Sequence, residues 1–342
     1  MRIDWKSPYL PSVIVFLAFV FGFTAANVLT PTKDVSVTER RTLAQFPELS
    51  VDTIVSGDFT EGVAEYMQDQ AAFRDGLRSL KSFTERQVLR KLENNEVYVV
   101  GDFVYDKFYG IEHGRAATAA QRMSEIIEDI GEDAVYLSLI PTKAKGLDDG
   151  RYLLSDQHEI ADPIRDAVDA TYIDLMGFSD TDTQERYYGA DPHWTTSGAQ
   201  AAYEVLAAGL GFRPVTEYEY EVATDEYVGS EYGRAAAWSV PLDSIELARN
   251  TMIDSMSLCR VEGLDQVPCF DSIFVPITED TVDAYDIFLG GLGPIIEVTN
   301  PHPSAEGHLV VFKDSYAHAI APFLAQHFAK VTLIDLRYVQ RD

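Results

Sequence analysis

From Ser7 to Thr32 the chain carries no charged side chain, and Val13 to Phe23 reads VIVFLAFVFGF, almost wholly apolar. With its flanks this run is long enough to cross a hydrocarbon core about 30 Å thick, which predicts one membrane-spanning helix. Arg2 and Lys6 precede it with only Asp4 opposing. The cationic end of such a segment stays cytoplasmic, so residues beyond about Thr30 are expected outside the cytoplasm. Thr24-Ala25-Ala26 places small residues behind the apolar run, as a cleaved signal peptide would; anchor and signal peptide both export the rest. Pro31 to Arg41 is polar, and Leu43 to Leu49 is interrupted by Pro47, so residues 33–58 read as a linker and approach segment.

Further on, Val63, Tyr66, Met67, Phe73, Leu77, Leu80, Phe83, Val88 and Leu89 recur mostly at steps of three and four, which predicts one or two amphipathic helices over Phe59 to Leu92. Asn94-Asn95 stops them. Val97 to Val100 predicts a short strand, and Thr118 to Ile130 a helix ended by Gly131. Ala134 to Ile140 is a near-continuous apolar run between Gly131 and Pro141, the pattern of a strand buried on both faces of a parallel sheet. Tyr172 to Leu175 follows a helical segment near Pro163 to Ala170, and Leu309 to Phe312 and Val331 to Ile334 flank a helical stretch, Ala317 to Ala329. Strands alternating with helices predict a doubly wound α/β sheet, which binds ligands beyond the carboxyl ends of its strands. The acidic segment of about 217–282 has weak periodicity and reads as an insertion beside the sheet.

At 342 residues, 46% of them hydrophobic, the chain has the apolar content for a core and the length of one large domain or two ordinary ones. Lys and Arg number 27 against 55 Asp and Glu, a formal charge of −28. Such a surface repels phosphate backbones, so nucleic acid is excluded as a default partner, and a solvated surface tuned for solubility is the simplest reading of the acidity. Cys259 and Cys269 are the only cysteines. They exclude a disulfide-dense scaffold, a four-thiolate zinc site and an iron–sulfur protein. Outside the cytoplasm they could form a disulfide or remain buried thiols.

Two stretches carry candidate chemistry. In Tyr187 to Ala199 (YYGADPHWTTSGA), Asp191 lies two residues before His193. In Lys313-Asp314-Ser315-Tyr316, Ser315 stands between a buried strand and a helix. A serine hydroxyl is a poor nucleophile until a base takes its proton, and neutral histidine is the natural base near neutral pH. Asp191 would fix the His193 tautomer. The Ser315 and Tyr316 N–H groups, at the first helical turn, are expected to face a developing oxyanion. Against this stands a plainer reading, in which Asp314 merely caps a helix and His193 is a structural histidine. His318, three residues after Ser315, is an alternative base or a wall residue. The histidines show no ligand spacing such as HxH or HExxH, and Gly290-Gly291-Leu292-Gly293 lacks phosphate-loop spacing, so neither a metal nor a cofactor is expected.

The stretches Glu39 to Pro47 (ERRTLAQFP), Asp69 to Asp75 (DQAAFRD), Pro141-Thr142-Lys143, Tyr187 to Ala199 and Val310 to Arg337, in this order, resemble the DHHW-type proteins. These are relatives of the alginate-modifying O-acetyltransferases within the SGNH hydrolase superfamily. The resemblance implies an SGNH-like, flavodoxin-like doubly wound parallel sheet flanked by helices, and acyl transfer through an acyl-serine. It implies Ser315 as nucleophile, His193 as general base and then acid, and Asp191 as the residue that orients it. The acid and histidine precede the serine, as in the alginate-type acetyltransferases and opposite to ordinary SGNH hydrolases. Pro192 stands where the family name has histidine, and Leu292 follows Gly290-Gly291 where asparagine is common; the first departure leaves Asp191, His193 and Trp194 in place.

Lys143 and Arg337 are similar to site-lining positions of the relatives; as cations they would steady an acyl oxygen or an acidic sugar, or form structural salt bridges. Trp194 is a carbohydrate platform or a packing residue. The domain organisation this implies is a cytoplasmic tip and transmembrane anchor (1–32), the approach segment (33–58) and an SGNH-like catalytic domain (59–342) with its insertion. The implied function is extracytoplasmic O-acetylation of a cell-surface or exported polysaccharide, the acyl group arriving from a multispanning membrane acyltransferase. An esterase acting on the same polymer would use the same residues. A non-catalytic carbohydrate-binding scaffold is the third reading, and the joint presence of Ser315, His193 and Asp191 argues against it.

Overall fold

The computed structural model describes residues 8–131, 134–147, 150–262, 265–278 and 281–339; Arg2, Asp4 and Lys6, which carry the expected orientation of the apolar segment, lie outside them. Helix α1 (Leu10–Leu29) has a mean hydropathy of 2.2 and no buried residue. Its length and its apolar outer surface are those of a candidate membrane anchor or signal sequence. Near its end the Asn27 side chain accepts the Ala72 N–H at 2.9 Å, tying the helix to the body of the protein.

The approach segment is built into that body. β1 (Val35–Ser36) and β2 (Arg41–Thr42) pair antiparallel, and α2 (Val51–Ser56), α3 (Asp58–Asp69) and α4 (Arg74–Phe83) follow. Glu39, in the hairpin turn, pairs with Arg41 at 3.2 Å, Arg74 at 2.5 Å and Arg78 at 2.9 Å. The predicted amphipathic run divides between α3 and α4 because Phe73 takes a left-handed backbone, φ 63°. β3 (Glu93–Asn94), β4 (Val97–Val100) and β5 (Phe103–Asp106) form an antiparallel meander, and α5 (His113–Ile130) ends on Gly131 at φ 65°, the conformation glycine adopts without strain.

Beyond this point the expected strand from Ala134 to Ile140 shortens to β6 (Tyr136–Leu137), parallel to β7 (Thr171–Tyr172), with α6 (His158–Ala167) packed on α5 through Ala116, Ala120, Ile164 and Val168. α7 (Thr183–Arg186) and α8 (Thr196–Gly209) follow. The Thr195 hydroxyl caps α8 by accepting the Gly198 N–H at 3.0 Å. A Cβ on Gly198 would lie 2.0 Å from the Arg186 carbonyl oxygen, so only glycine allows the preceding turn to close on the helix.

β8 (Glu219–Tyr227) pairs antiparallel with β9 (Asp243–Arg249), and α9 (Ser230–Ala235) lies between them in sequence. β10 (Ser257–Glu262), β11 (Asp265–Phe270), β12 (Ile295–Thr299), β13 (His308–Phe312) and β14 (Lys330–Ile334) make one sheet in the order β11-β10-β12-β14-β13, in which only β13 and β14 run parallel. The expected unit of strand, helix and strand is present as β13, α10 (Ala317–Leu324) and β14. The architecture is mixed α/β with small sheets, not the doubly wound parallel sheet expected. The antiparallel part begins at β12, which pairs antiparallel with β14, and the segment of about 217–282 extends it: that segment does not stand wholly beside the sheet but supplies β10 and β11. Cys259 and Cys269 face each other across these strands and form a disulfide. The main core lies between this sheet and α8 and α10, joining Ala202, Tyr203, Ile320 and Phe323 to Leu258, Ile296, Val298, Val331 and Leu333.

Candidate active site

The Lys313 N–H donates to the Ile334 carbonyl at 2.9 Å, carrying the parallel ladder one step past β13. The chain then turns: Asp314 Oδ1 accepts the Tyr316 N–H at 3.0 Å, and the Ser315 carbonyl accepts the His318 N–H at 3.2 Å. Ser315 therefore stands half-buried at the junction of β13 and α10, at the carboxyl end of a strand as its sequence position predicts. The second stretch is a tight loop closed by a bridge between Tyr187 and Trp194, in which the Tyr188 N–H donates to the His193 carbonyl at 3.1 Å.

These segments meet across 122 positions of sequence. Ser315 Oγ lies 2.7 Å from His193 Nε2, and His193 Nδ1 lies 2.5 Å from Asp191 Oδ1. With its Nδ1–H donated to the carboxylate, the ring presents Nε2 as an acceptor for the serine proton. Asp191 is fully buried and its acceptor positions are filled. Oδ1 takes His193 Nδ1 and the His193 N–H at 3.1 Å; Oδ2 takes Arg40 Nη1 at 3.0 Å and the Ser230 N–H at 2.9 Å. Burial pushes this carboxyl up, but His193, Arg40 and the Ser230 amide outweigh it and hold Asp191 well below the usual carboxylate range. Asp191 is thus an anion wherever His193 can act as a base. The amide of Ser230 reaches it because residue 229 is glycine, where a Cβ would lie 2.7 Å from that of Asp191. The His193 ring is stacked on Tyr285, centroids 4.2 Å apart, and tilted against Tyr316 at 5.1 Å.

Lys143 lies beneath the loop rather than in front of it. It is 2% exposed, and its Nζ donates to the carbonyls of Asp191 at 2.7 Å, Tyr188 at 3.0 Å and Gly189 at 3.2 Å. It also pairs with Glu231, whose carboxyl burial pushes up to about 8 against the pull of Lys143. A tight loop aims several carbonyls inward, and an ammonium group has the donors to hold them together.

Arg337 forks onto Asp335 through Nε at 2.9 Å and Nη2 at 2.7 Å, with its side chain 55% exposed. Burial raises Asp335, but Arg337 and Lys313 overcome it and hold the carboxyl down to about 2. Lys313 Nζ donates to His318 Nε2 at 2.6 Å. Burial and Lys313 push His318 down to about 3, so it is neutral, and its Nε2 is committed to Lys313; the ring that faces Ser315 is that of His193. Trp194 is 1% exposed. Its Nε1–H donates to the Tyr316 carbonyl at 3.1 Å and its ring packs edge-on against Phe178 and Tyr316, so it fixes the loop and offers no face to a sugar. Tyr316 donates its hydroxyl to the Pro192 carbonyl at 2.6 Å. Its N–H, expected to face an oxyanion, is donated to Asp314, because an aspartate at the start of a turn captures the amide two residues on.

Arg40, Tyr285, Ser230 and Glu231 belong to this site and were missed in the sequence. For Arg40 a signal existed, since it sits in the stretch Glu39 to Pro47; the others leave no trace in spacing. Among the described residues no group of three or more His, Cys, Asp or Glu is arranged to hold a metal ion.

The family model described as DHHW protein matches residues 84–334, most of the chain. The chain belongs to that family. Among solved structures, this DHHW protein is similar to a DHHW family protein from Eubacterium siraeum, with a TM-score of 0.61, 20% identity, and 73% of this chain and 85% of that chain covered. It is also similar to Bacillus cereus PatB1 with a sulfonyl adduct, with a TM-score of 0.56, 18% identity, and 72% of this chain and 88% of that chain covered. The O-acetyltransferase domain of Pseudomonas putida AlgJ is a weaker likeness, with a TM-score of 0.35, 17% identity, and 46% of this chain and 67% of that chain covered. No curated protein matches the chain.

Proposed function

We propose that this DHHW protein is an extracytoplasmic serine O-acyltransferase of SGNH type, which acetylates a cell-surface or exported polysaccharide through an acyl group on Ser315. The observation that carries the reading is the line of hydrogen bonds from buried Asp191 through His193 to the half-buried Ser315 hydroxyl. As Ser315 Oγ attacks an acyl carbonyl, His193 Nε2 takes its proton, and the imidazolium is held by the Asp191 anion at Nδ1. Collapse of the tetrahedral intermediate passes that proton to the leaving group. A sugar hydroxyl then enters and attacks the acyl carbonyl while His193 Nε2 takes its proton, and collapse to the acetylated sugar returns that proton to Ser315 Oγ, restoring the free hydroxyl and neutral imidazole. The N–H of Ser315, at the mouth of α10, is the donor for the developing oxyanion; that of Tyr316 joins it once released from Asp314. The sulfonyl adduct of PatB1 supports the reading at the level of the fold, since an activated hydroxyl is what a sulfonylating reagent captures.

Helix α1 and the disulfide of Cys259 and Cys269 accord with export. Outside the cytoplasm no acetyl thioester of coenzyme A is at hand, so the acyl group is delivered across the membrane by a multispanning acyltransferase. Lys143 acts from beneath as the prop of the Asp191 loop. Arg337, oriented by Asp335 and open to solvent, is the cation available to an acidic sugar.

Incubating the purified protein with an activated acetyl ester and oligosaccharide acceptors tests the proposal. The wild type is expected to add acetyl to the sugar, read by mass, and Ser315→Ala to lose this at an unchanged melting temperature, because a half-buried serine contributes little to stability. Ester release with no acetylated sugar would make the protein an esterase; full activity in Ser315→Ala would dismiss the nucleophile.

A further inference from the structure

We propose that Arg40 is a positioning residue of the acyl-transfer site, and that the hairpin carrying it, Val35 to Thr42, is a working part of that site rather than a tether to the membrane. The inference rests on the Ser315 reading and extends it to a segment outside the residues the family model matches.

Arg40 lies 151 positions before Asp191, yet its side chain is 9% exposed and spans two carboxylates, Asp191 at 3.0 Å through Nη1 and Asp283 at 2.6 Å through Nη2. Its guanidinium lies 4.9 Å over the ring of Tyr227. The backbone at Arg40 is left-handed, φ 51°, a conformation disfavoured for a side chain of this size and sustained where the surroundings impose it. Those surroundings are visible. Glu39 is gripped by Arg74 and Arg78 of α4, and Arg78 also donates to the Gly233 carbonyl of α9 at 2.7 Å. A Cβ on Gly233 would lie 2.2 Å from the Thr38 carbonyl oxygen, so the hairpin turn rests directly on α9. The first amide of α9, that of Ser230, bonds the same Asp191 oxygen as Arg40. Hairpin and helix therefore close together on Oδ2, leaving Oδ1 for His193.

Two effects follow from that arrangement. Arg40 holds the Asp191 carboxylate in the rotamer that orients His193. It also takes a share of the Asp191 charge, so the anion favours the His193 imidazolium less than an undivided carboxylate would. Around the pair stand Tyr227, Tyr285 and Tyr316, each kept neutral by burial; Asp283 and Asp286; Asp243 and the Lys143–Glu231 pair beneath the loop; and neutral His318 behind Tyr285. None of these bonds the Asp191 carboxylate, so apart from His193 and the Ser230 amide its partner is Arg40, and Arg40 is the charged one.

The test uses the full chain in detergent, with p-nitrophenyl acetate turnover followed against pH and inactivation by phenylmethanesulfonyl fluoride as a second readout. Arg40→Ala should lower kcat about tenfold or more with KM nearly unchanged, slow sulfonylation in parallel, and move the acid limb of the kcat/KM profile up by about half to one pH unit. Arg40→Lys should return the limb most of the way. If Arg40→Ala does not fold, Arg40→Gln, which keeps the length and an N–H for Asp191, decides by the same shift of the limb. An unchanged kcat and limb overturn the inference, as does a fall in kcat with the limb in place that Arg40→Lys does not relieve. A wild type inert to both reagents overturns the Ser315 reading, and this inference with it.

Discussion

The imidazole of His193 lies flat on the phenol ring of Tyr285, 4.2 Å between centroids and 13° between planes. Burial keeps the Tyr285 phenol neutral, far above its usual titration range. An aromatic face against imidazole favours its cationic form, by about 0.5–1 kcal/mol, and the cationic form is the one that the proposed mechanism requires of His193 as Ser315 attacks. Tyr285→Leu is therefore expected to lower kcat severalfold and to move the acid limb of the activity profile down by about half a pH unit. The direction is opposite to that expected of Arg40→Ala, so one set of pH profiles separates these two neighbours of Asp191 and His193.

Lys143 distinguishes a prop from a substrate contact. Replacing it by methionine keeps the bulk and removes the donors, leaving the Asp191 and Tyr188 carbonyls and the Glu231 carboxyl without Lys143 in the interior, while the Gly189 carbonyl keeps the Val104 N–H. Breaking a buried pair in this way costs about 3–5 kcal/mol. Lys143→Met should accordingly show a large fall in chemical-denaturation stability, with KM for acceptor sugar close to wild type in whatever remains folded. A raised KM at full stability would return Lys143 to the substrate.

Asp335 gives the protein an acid-sensitive clamp. Its carboxyl is held down to about 2 from an ordinary 3.8 by Arg337 and Lys313. A depressed native value means that the stabilisation is present above the unfolded value, near pH 4, and is lost as pH falls through about 2. Its size is about 2 kcal/mol. Asp335→Asn should be less stable than wild type by about that amount at pH 7, and the gap should close by pH 2, as followed by urea midpoints at each pH. A gap of constant size would assign the loss to packing.

The chemistry was more legible than the architecture. Asp191 and His193 are two residues apart in one loop, and Ser315 follows an apolar run that reads as a strand, so local pattern sufficed to nominate them; the run is not the buried strand expected but the edge strand β13, with Val310 and Phe312 exposed. The sheet was harder, because in β10 the sequence Ser257, Leu258, Cys259, Arg260 and Val261 keeps no polar–apolar alternation, although the strand pairs antiparallel on both sides. Nothing in that pattern says which sheet it joins. For Lys143 the resemblance leaves a substrate contact and a structural salt bridge both open, and what decides its direction is the set of carbonyls of a loop 45 and more positions away. Arg40 and Tyr285 reach the site through a left-handed turn and a ring stack, contacts that only the folded chain creates.

The proposed nucleophile, Ser315, is open to direct observation. After brief exposure of the protein to p-nitrophenyl acetate and acid quenching, peptide mass spectrometry should find a single acetyl group on the peptide containing Ser315, fixed to that residue by fragmentation, and none in Ser315→Ala. Acetyl found on another residue at the same level in both proteins, or turnover with Ser315 never labelled under conditions that slow deacylation, would contradict the account.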